Sequence, residues 1–112
     1  MISHRKRRIA AQKLHTLKRL QERYDLTISL GEYKQLCRLI RHSNNDDRVR
    51  YLGKISLRLT VHAIDFKGQE IFVVYDKLRG SIATALPKDF RDFDEQTSFL
   101  TEELSVIEVD EA

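Results

Sequence analysis

Lys54, Arg58, Thr60 and His62 recur at even spacing along one β-branched run, and Tyr75, Arg79 and Thr84 follow in and between the next two runs. Side chains in a strand alternate between faces, so Lys54, Ser56, Arg58, Thr60 and His62 fall on one side of the first run. These residue types suit RNA. Lys and Arg hold phosphate, Arg bidentately, and Tyr and His stack on splayed bases. The same set could cleave RNA without a metal ion. A base takes the 2′-hydroxyl proton, a cation stabilises the charged phosphorane, and an acid protonates the leaving 5′-oxygen. His62 is the only side chain among them whose ordinary pKa suits proton transfer near neutrality. A solvated sheet face is also ordinarily polar, and one carrying Lys, Arg and Thr needs no function.

Other chemistries find no residues to carry them. His4, His15, His42 and His62 lack ligand spacing, and the single Cys37 cannot build a zinc site. No metal and no small-molecule cofactor is therefore expected. The glycines, at 31, 53, 68 and 80, are too scattered for a phosphate loop. No Ser-His-Asp arrangement is legible, and no paired carboxylates share a strand face. One cysteine permits no intramolecular disulfide, and Cys37 reads as a small core residue. No apolar run approaches the roughly 18 residues of a membrane span, and the basic N-terminus lacks the apolar stretch of a signal peptide. The expectation is a cytoplasmic protein with no membrane association, its 112 residues forming a single domain.

The elements that must position the polar residues are two helices and a meander. Residues 3–24 hold no Gly or Pro, and Ile9, Leu14, Leu17, Leu20 and Tyr24 form a narrow apolar stripe. A second helix is expected over 30–42, with Ser29 as N-cap, Glu32 completing a capping box, and Tyr33, Leu36, Cys37 and Ile40 on its buried face. Within 50–87, three runs are separated by Lys67-Gly68 and by Lys77-Leu78-Arg79-Gly80, the mark of an antiparallel meander. Loops of two and four residues put Phe66 opposite Gln69, Ile64 opposite Ile71, His62 opposite Val73, Thr60 opposite Tyr75, Tyr75 opposite Ile82 and Val73 opposite Thr84. Opposed residues share a face. Arg58, Thr60, His62, Tyr75 and Thr84 then project together, and Leu57, Leu59, Val61, Phe72, Val74, Ala83 and Ala85 form the face under the helices. The fold class is α+β, two N-terminal helices packed on one face of an antiparallel β-meander.

A net charge of +3 conceals an asymmetry. Arg5, Lys6, Arg7 and Arg8 open a basic first helix, and residues 94–112 form an acidic tail. Such a chain suits a polyanionic partner, with the tail as a competitor for the same surface, although a solvated helix face and tail account for the pattern equally well. Lys54, Thr60, Arg79, Arg5, Arg7 and Arg8 are the candidate substrate-binding residues.

The segments Gly68-Gln-Glu-Ile-Phe-Val-Val-Tyr-Asp-Lys77 and Ile82-Ala-Thr-Ala-Leu-Pro87 resemble the ending of several RelE-like and colicin-like ribonuclease toxins, the barnase–colicin–RelE superfamily. The likeness covers about a third of the chain, the helices matching by layout only. It implies a RelE-like fold and a metal-independent endoribonuclease toxin cleaving mRNA or tRNA. Such a toxin belongs to a toxin–antitoxin system or is delivered as an effector, with a cognate antitoxin or immunity protein as second partner. Carried onto this chain, Thr84 matches the Thr of the last strand, and Arg58 and His62 match polar positions of the first. Arg58 would then hold the scissile phosphate, His62 would transfer protons, and Tyr75 and Thr84 would position substrate. The chain departs from other metal-free ribonucleases in lacking a Glu–His pair on the sheet face, which leaves Lys54 or His62 as the base. Two alternatives stand beside this reading: a non-catalytic RNA-binding module on the same scaffold, and a protein-interaction or inhibitor domain. Enzyme and binder are told apart by whether Arg58, His62, Tyr75 and Thr84 converge in a pocket.

Overall fold

The computed structural model describes residues 4–42 and 46–90, with side chains from residue 11 onward. Helices α1 (His4–Tyr24) and α2 (Leu30–Arg41) precede strands β1 (Val49–Lys54), β2 (Leu59–Phe66), β3 (Gln69–Asp76) and β4 (Ser81–Ala85). The strands form one antiparallel sheet in the order β1-β2-β3-β4. The fold is thus α+β, two helices followed by a meander. The acidic tail, 94–112, lies outside the described residues.

Local chemistry explains the boundaries. Asp25 takes a left-handed φ of 51° and ends α1. Ser29 then caps α2: its hydroxyl accepts from the Glu32 N–H at 3.1 Å, and the Glu32 carboxylate accepts from the Ser29 N–H at 2.9 Å. Two orphan donors of the first turn are satisfied reciprocally. Lys67 and Gly68 both have positive φ, 50° and 81°, as a two-residue hairpin turn matching the strand twist requires. The β2–β3 register is the expected one, Thr60 to Tyr75 and His62 to Val73 included.

Three expectations are corrected. The first run is not one strand from Lys54 onward. The Ser56 hydroxyl accepts from the Leu59 N–H at 3.2 Å, and the Ile55 and Ser56 N–H groups both turn onto the Leu59 carbonyl. The hydroxyl offers the backbone a turn in place of the ladder, so 55–58 is a hairpin loop and β1 an additional strand. Leu57 sits on that loop, 85% exposed rather than in the core. Second, a β-bulge in β4 pairs Val74 with Thr84 and Val73 with Ala85. One extra residue moves everything after it to the other face, so Thr84 leaves the Tyr75 side. Third, the helices cover the opposite face from the one expected. Leu20, Tyr24, Tyr33, Leu36 and Ile40 pack with Ile64, Ile71, Val73, Tyr75 and Ile82. Leu59, Val61, Ala63, Phe72, Val74 and Ala83 form a second buried layer on the far side, with Leu86 and Phe90; the Phe72 and Phe90 rings lie 5.9 Å apart. Period-two alternation separates faces but does not say which one the helices take, and here both are buried.

Helix α1 closes the β4 edge of the sheet. Thr16 Oγ1 and the Tyr33 hydroxyl both donate to the Ile82 carbonyl, at 2.9 and 2.7 Å, and Arg23 donates to Ala85 at 2.7 Å. The Tyr24 hydroxyl is wedged into the β3–β4 ladder, accepting from the Phe72 N–H at 3.0 Å and donating to the Leu86 carbonyl at 2.7 Å. Burial pushes its pKa up to about 12, so it keeps the proton it donates. Tyr24→Phe strands two buried backbone groups and is expected to cost about 1–3 kcal/mol, measured as a lower urea midpoint. An unchanged midpoint would mean the ladder closes over the gap.

Candidate nucleic-acid interface

The four expected catalytic residues fall into three separate environments. Arg58 belongs to a polar hub built on Asp76 at the end of β3. The fully buried Asp76 carboxylate accepts from the Arg58 guanidinium through two nitrogens, from Gln12 Nε2 at 2.9 Å and from Arg79 Nη1 at 3.3 Å. The backbone N–H groups of Leu78 and Arg79 add bonds at 3.0 and 3.2 Å, and Ser81 Oγ donates to Gln12 Oε1 at 2.6 Å. Burial pushes the Asp76 carboxyl up, but the bonds from Arg58, Gln12 and the Arg79 backbone outweigh it and hold the pKa below the usual value. Arg58 thus carries a structural anion already, and its reach to a phosphate is correspondingly reduced.

His62 lies on the helix side of β2 and is only 6% exposed. Its Nε2 shares a hydrogen bond of 2.8 Å with Thr60 Oγ1, while Nδ1 is buried with no partner. Desolvation lowers its pKa to about 4, so the ring is neutral at pH 7. Tyr51 and Tyr75 flank it edge-on, with centroids 5.6 and 6.2 Å away. Burial raises the pKa of the Tyr75 phenol. Thr84 is buried on the far face, beside Val74. His62, Thr60 and Tyr75 are therefore together, Arg58 is held apart from them by its pairing with Asp76, and Thr84 is on the other side of the sheet. Lys54 ends β1, exposed and opposite Thr60. Arg5, Arg7 and Arg8 lie in the opening turns of α1, and their side chains are outside the described residues.

A concave feature lies between the helices and the sheet edge. A groove of about 280 Å³ opens between α1, α2 and the β3–β4 turn. Lys13 enters from α1, Lys34, Arg38 and Arg41 from α2, and Arg79 from the turn, and no carboxylate lines it among the described residues. Tyr33 and Cys37 supply an apolar wall, with Gly80 and Ser81 at the turn. The Lys13 ammonium lies 5.9 Å from the centre of the Tyr33 ring, within cation–π range. Burial pushes the Cys37 thiol pKa up, consistent with a packing residue. Of the residues singled out from sequence as substrate-binding, Arg79 alone among those with described side chains lines this groove; its Asp76 partner holds the guanidinium in place. Lys34, Arg38 and Arg41 were legible as one helix stripe, spaced four and three apart, but only the docking of α2 beside the β3–β4 turn turns that stripe into a wall.

No helix among the described residues is long and apolar enough to cross a membrane. Comparison with protein-family models, with curated proteins and with solved structures finds no match to this chain.

Proposed function

We propose that the protein is a non-catalytic RNA-binding module that takes the phosphate backbone in the groove between α1, α2 and the β3–β4 turn. The observation that carries this reading is the lining: four cations of the two helices, Lys13, Lys34, Arg38 and Arg41, converge on one concavity that no carboxylate lines among the described residues. Like charges held together in this way repel one another, and a polyanion relieves that repulsion while releasing its own counterions. Lys34, Arg38 and Arg41 supply exposed charges along the wall, whereas the Arg79 guanidinium is buried and already paired with Asp76.

The test is the affinity of a fluorescently labelled RNA at several salt concentrations. Replacing Lys34, Arg38 and Arg41 together by Gln touches exposed side chains only, so the fold is kept. The expected result is at least about a tenfold loss of affinity at low salt. The slope of log K against log salt should flatten by about 2, since each single-strand phosphate contact contributes roughly 0.7. Unchanged affinity and slope would reject the groove as the interface.

Cleavage draws little support from the placement of Arg58, His62, Tyr75 and Thr84, which do not share a pocket. The same RNA incubated in excess EDTA is expected to stay intact. Fragments with 2′,3′-cyclic phosphate ends that disappear in His62→Ala would restore the toxin ribonuclease, and with it the search for an antitoxin or immunity protein.

A further inference from the structure

We infer that Tyr51 is a base-stacking platform separated from the groove by the His62 and Tyr75 rings, and that the ligand is therefore single-stranded RNA rather than duplex. This rests on the groove being the RNA interface. Tyr51 lies on β1, an edge strand among the described residues, opposite His62 on the helix side of the sheet, and is 61% exposed. Two ring contacts lead from it towards the groove: Tyr51 to His62 at 5.6 Å, and His62 to Tyr75 at 6.2 Å with the planes at 90°. The Tyr75 hydroxyl then lies 3.8 Å from where a Cβ on Gly80 would stand, and Gly80 lines the groove. Arg41, from the groove wall, acts electrostatically on the Tyr75 phenol.

His62 and Tyr75 are buried and cannot receive a base, so Tyr51 is the member of this row that presents its ring to solvent. The edge contact with His62 holds that ring, and the β-bulge between Tyr51 and Gly53 marks where the strand is re-aimed. A cationic track beside an aromatic platform is how proteins take single strands: phosphates follow the charge while bases stack with little regard to sequence. In an A-form duplex the bases are paired and stacked on one another, and none is free to lie on a side chain.

The experiment compares Tyr51→Ala and Tyr51→Phe with the intact chain, on a labelled oligouridine, a labelled oligoadenosine and a blunt RNA duplex of equal length. The intact chain should prefer the single strands. Tyr51→Ala should weaken their binding about tenfold, leave the duplex within about twofold, and keep the salt slope, because no phosphate contact is lost. Tyr51→Phe should bind the single strands like the intact chain. The chain has no Trp, so tyrosine emission is readable directly, and its quenching by saturating oligouridine should shrink in Tyr51→Ala. Binding of single strands by Tyr51→Ala as tightly as by the intact chain overturns the inference, as does an equal loss on single strands and duplex. Should the Lys34, Arg38 and Arg41 replacement weaken binding while Tyr51→Ala does not, stacking alone fails and the groove stands. If neither weakens it, both fail.

Discussion

Asp76→Ala is expected to lower the unfolding free energy by about 3–5 kcal/mol, the range for removing one partner of a buried ion pair. The size follows from what is left behind. Asp76 is fully buried, the Arg79 side chain is nearly so, and Arg58 is largely covered. Without the carboxylate, two guanidinium groups in a poorly hydrated site lose the Asp76 charge, and Gln12 and two backbone N–H groups lose an acceptor. The hub also joins three parts of the chain: Gln12 from α1, Arg58 from the β1–β2 loop, and the β3–β4 turn. Asp76→Asn keeps the volume but not the charge and should fall between wild type and Ala. Urea unfolding followed by circular dichroism gives the differences. A loss below about 1 kcal/mol in Asp76→Ala would mean that water or a solution anion replaces the carboxylate. The acid dependence has a defined sign. The native pKa is depressed below the ordinary value near 3.9. The contribution of Asp76 is therefore complete above about pH 4 and lost as pH falls through the native pKa.

How much of this was legible in the sequence divides along physical lines. Features set by neighbours a few residues apart read correctly: the Ser29–Glu32 capping box, the Lys67-Gly68 turn, and the β2–β3 register that this turn imposes. Which face the helices cover did not: the expected face is buried, but the helices pack on the other. His62, Thr60 and Tyr75 are polar enough to look solvent-facing, yet Thr60 and His62 Nε2 share a hydrogen bond and Tyr75 offers mostly ring. A buried polar pair costs little once hydrogen-bonded, and a period-two pattern cannot announce such a pairing. The β4 bulge was equally hidden: the hydroxyls that bond the Ile82 carbonyl beside it come from Thr16 and Tyr33, more than 45 residues upstream. Arg58 looked like a phosphate ligand because its partner, Asp76, lies on another strand. The groove went unread for the same reason: its walls come from α1, α2 and the β3–β4 turn, and charge convergence across such distances is a property of packing rather than of spacing.

Acidification from pH 7 to pH 4 is expected to cost the fold on the order of 3 kcal/mol through His62 alone. Burial without a second hydrogen-bond partner lowers its native pKa to about 4, while in the unfolded chain it titrates near 6.5. Above pH 6.5 both states are neutral there and the group has no effect on stability. Between 6.5 and 4 the unfolded chain binds a proton that the native state refuses, so stability falls as pH falls. Below about 4 both states are protonated and the loss levels off. This window sits above that of Asp76, so the acid limb should show two phases. His62→Leu removes the titration at similar volume. It should abolish the upper phase while changing stability at pH 7 by less than the acid loss it removes. Titration of the His62 ring protons by NMR gives the native pKa directly, and urea unfolding at intervals from pH 4 to pH 7 gives the slope. A native pKa near 6.5, or identical slopes for wild type and His62→Leu, would show that the ring is hydrated and that the Tyr51–His62–Tyr75 row is open to solvent.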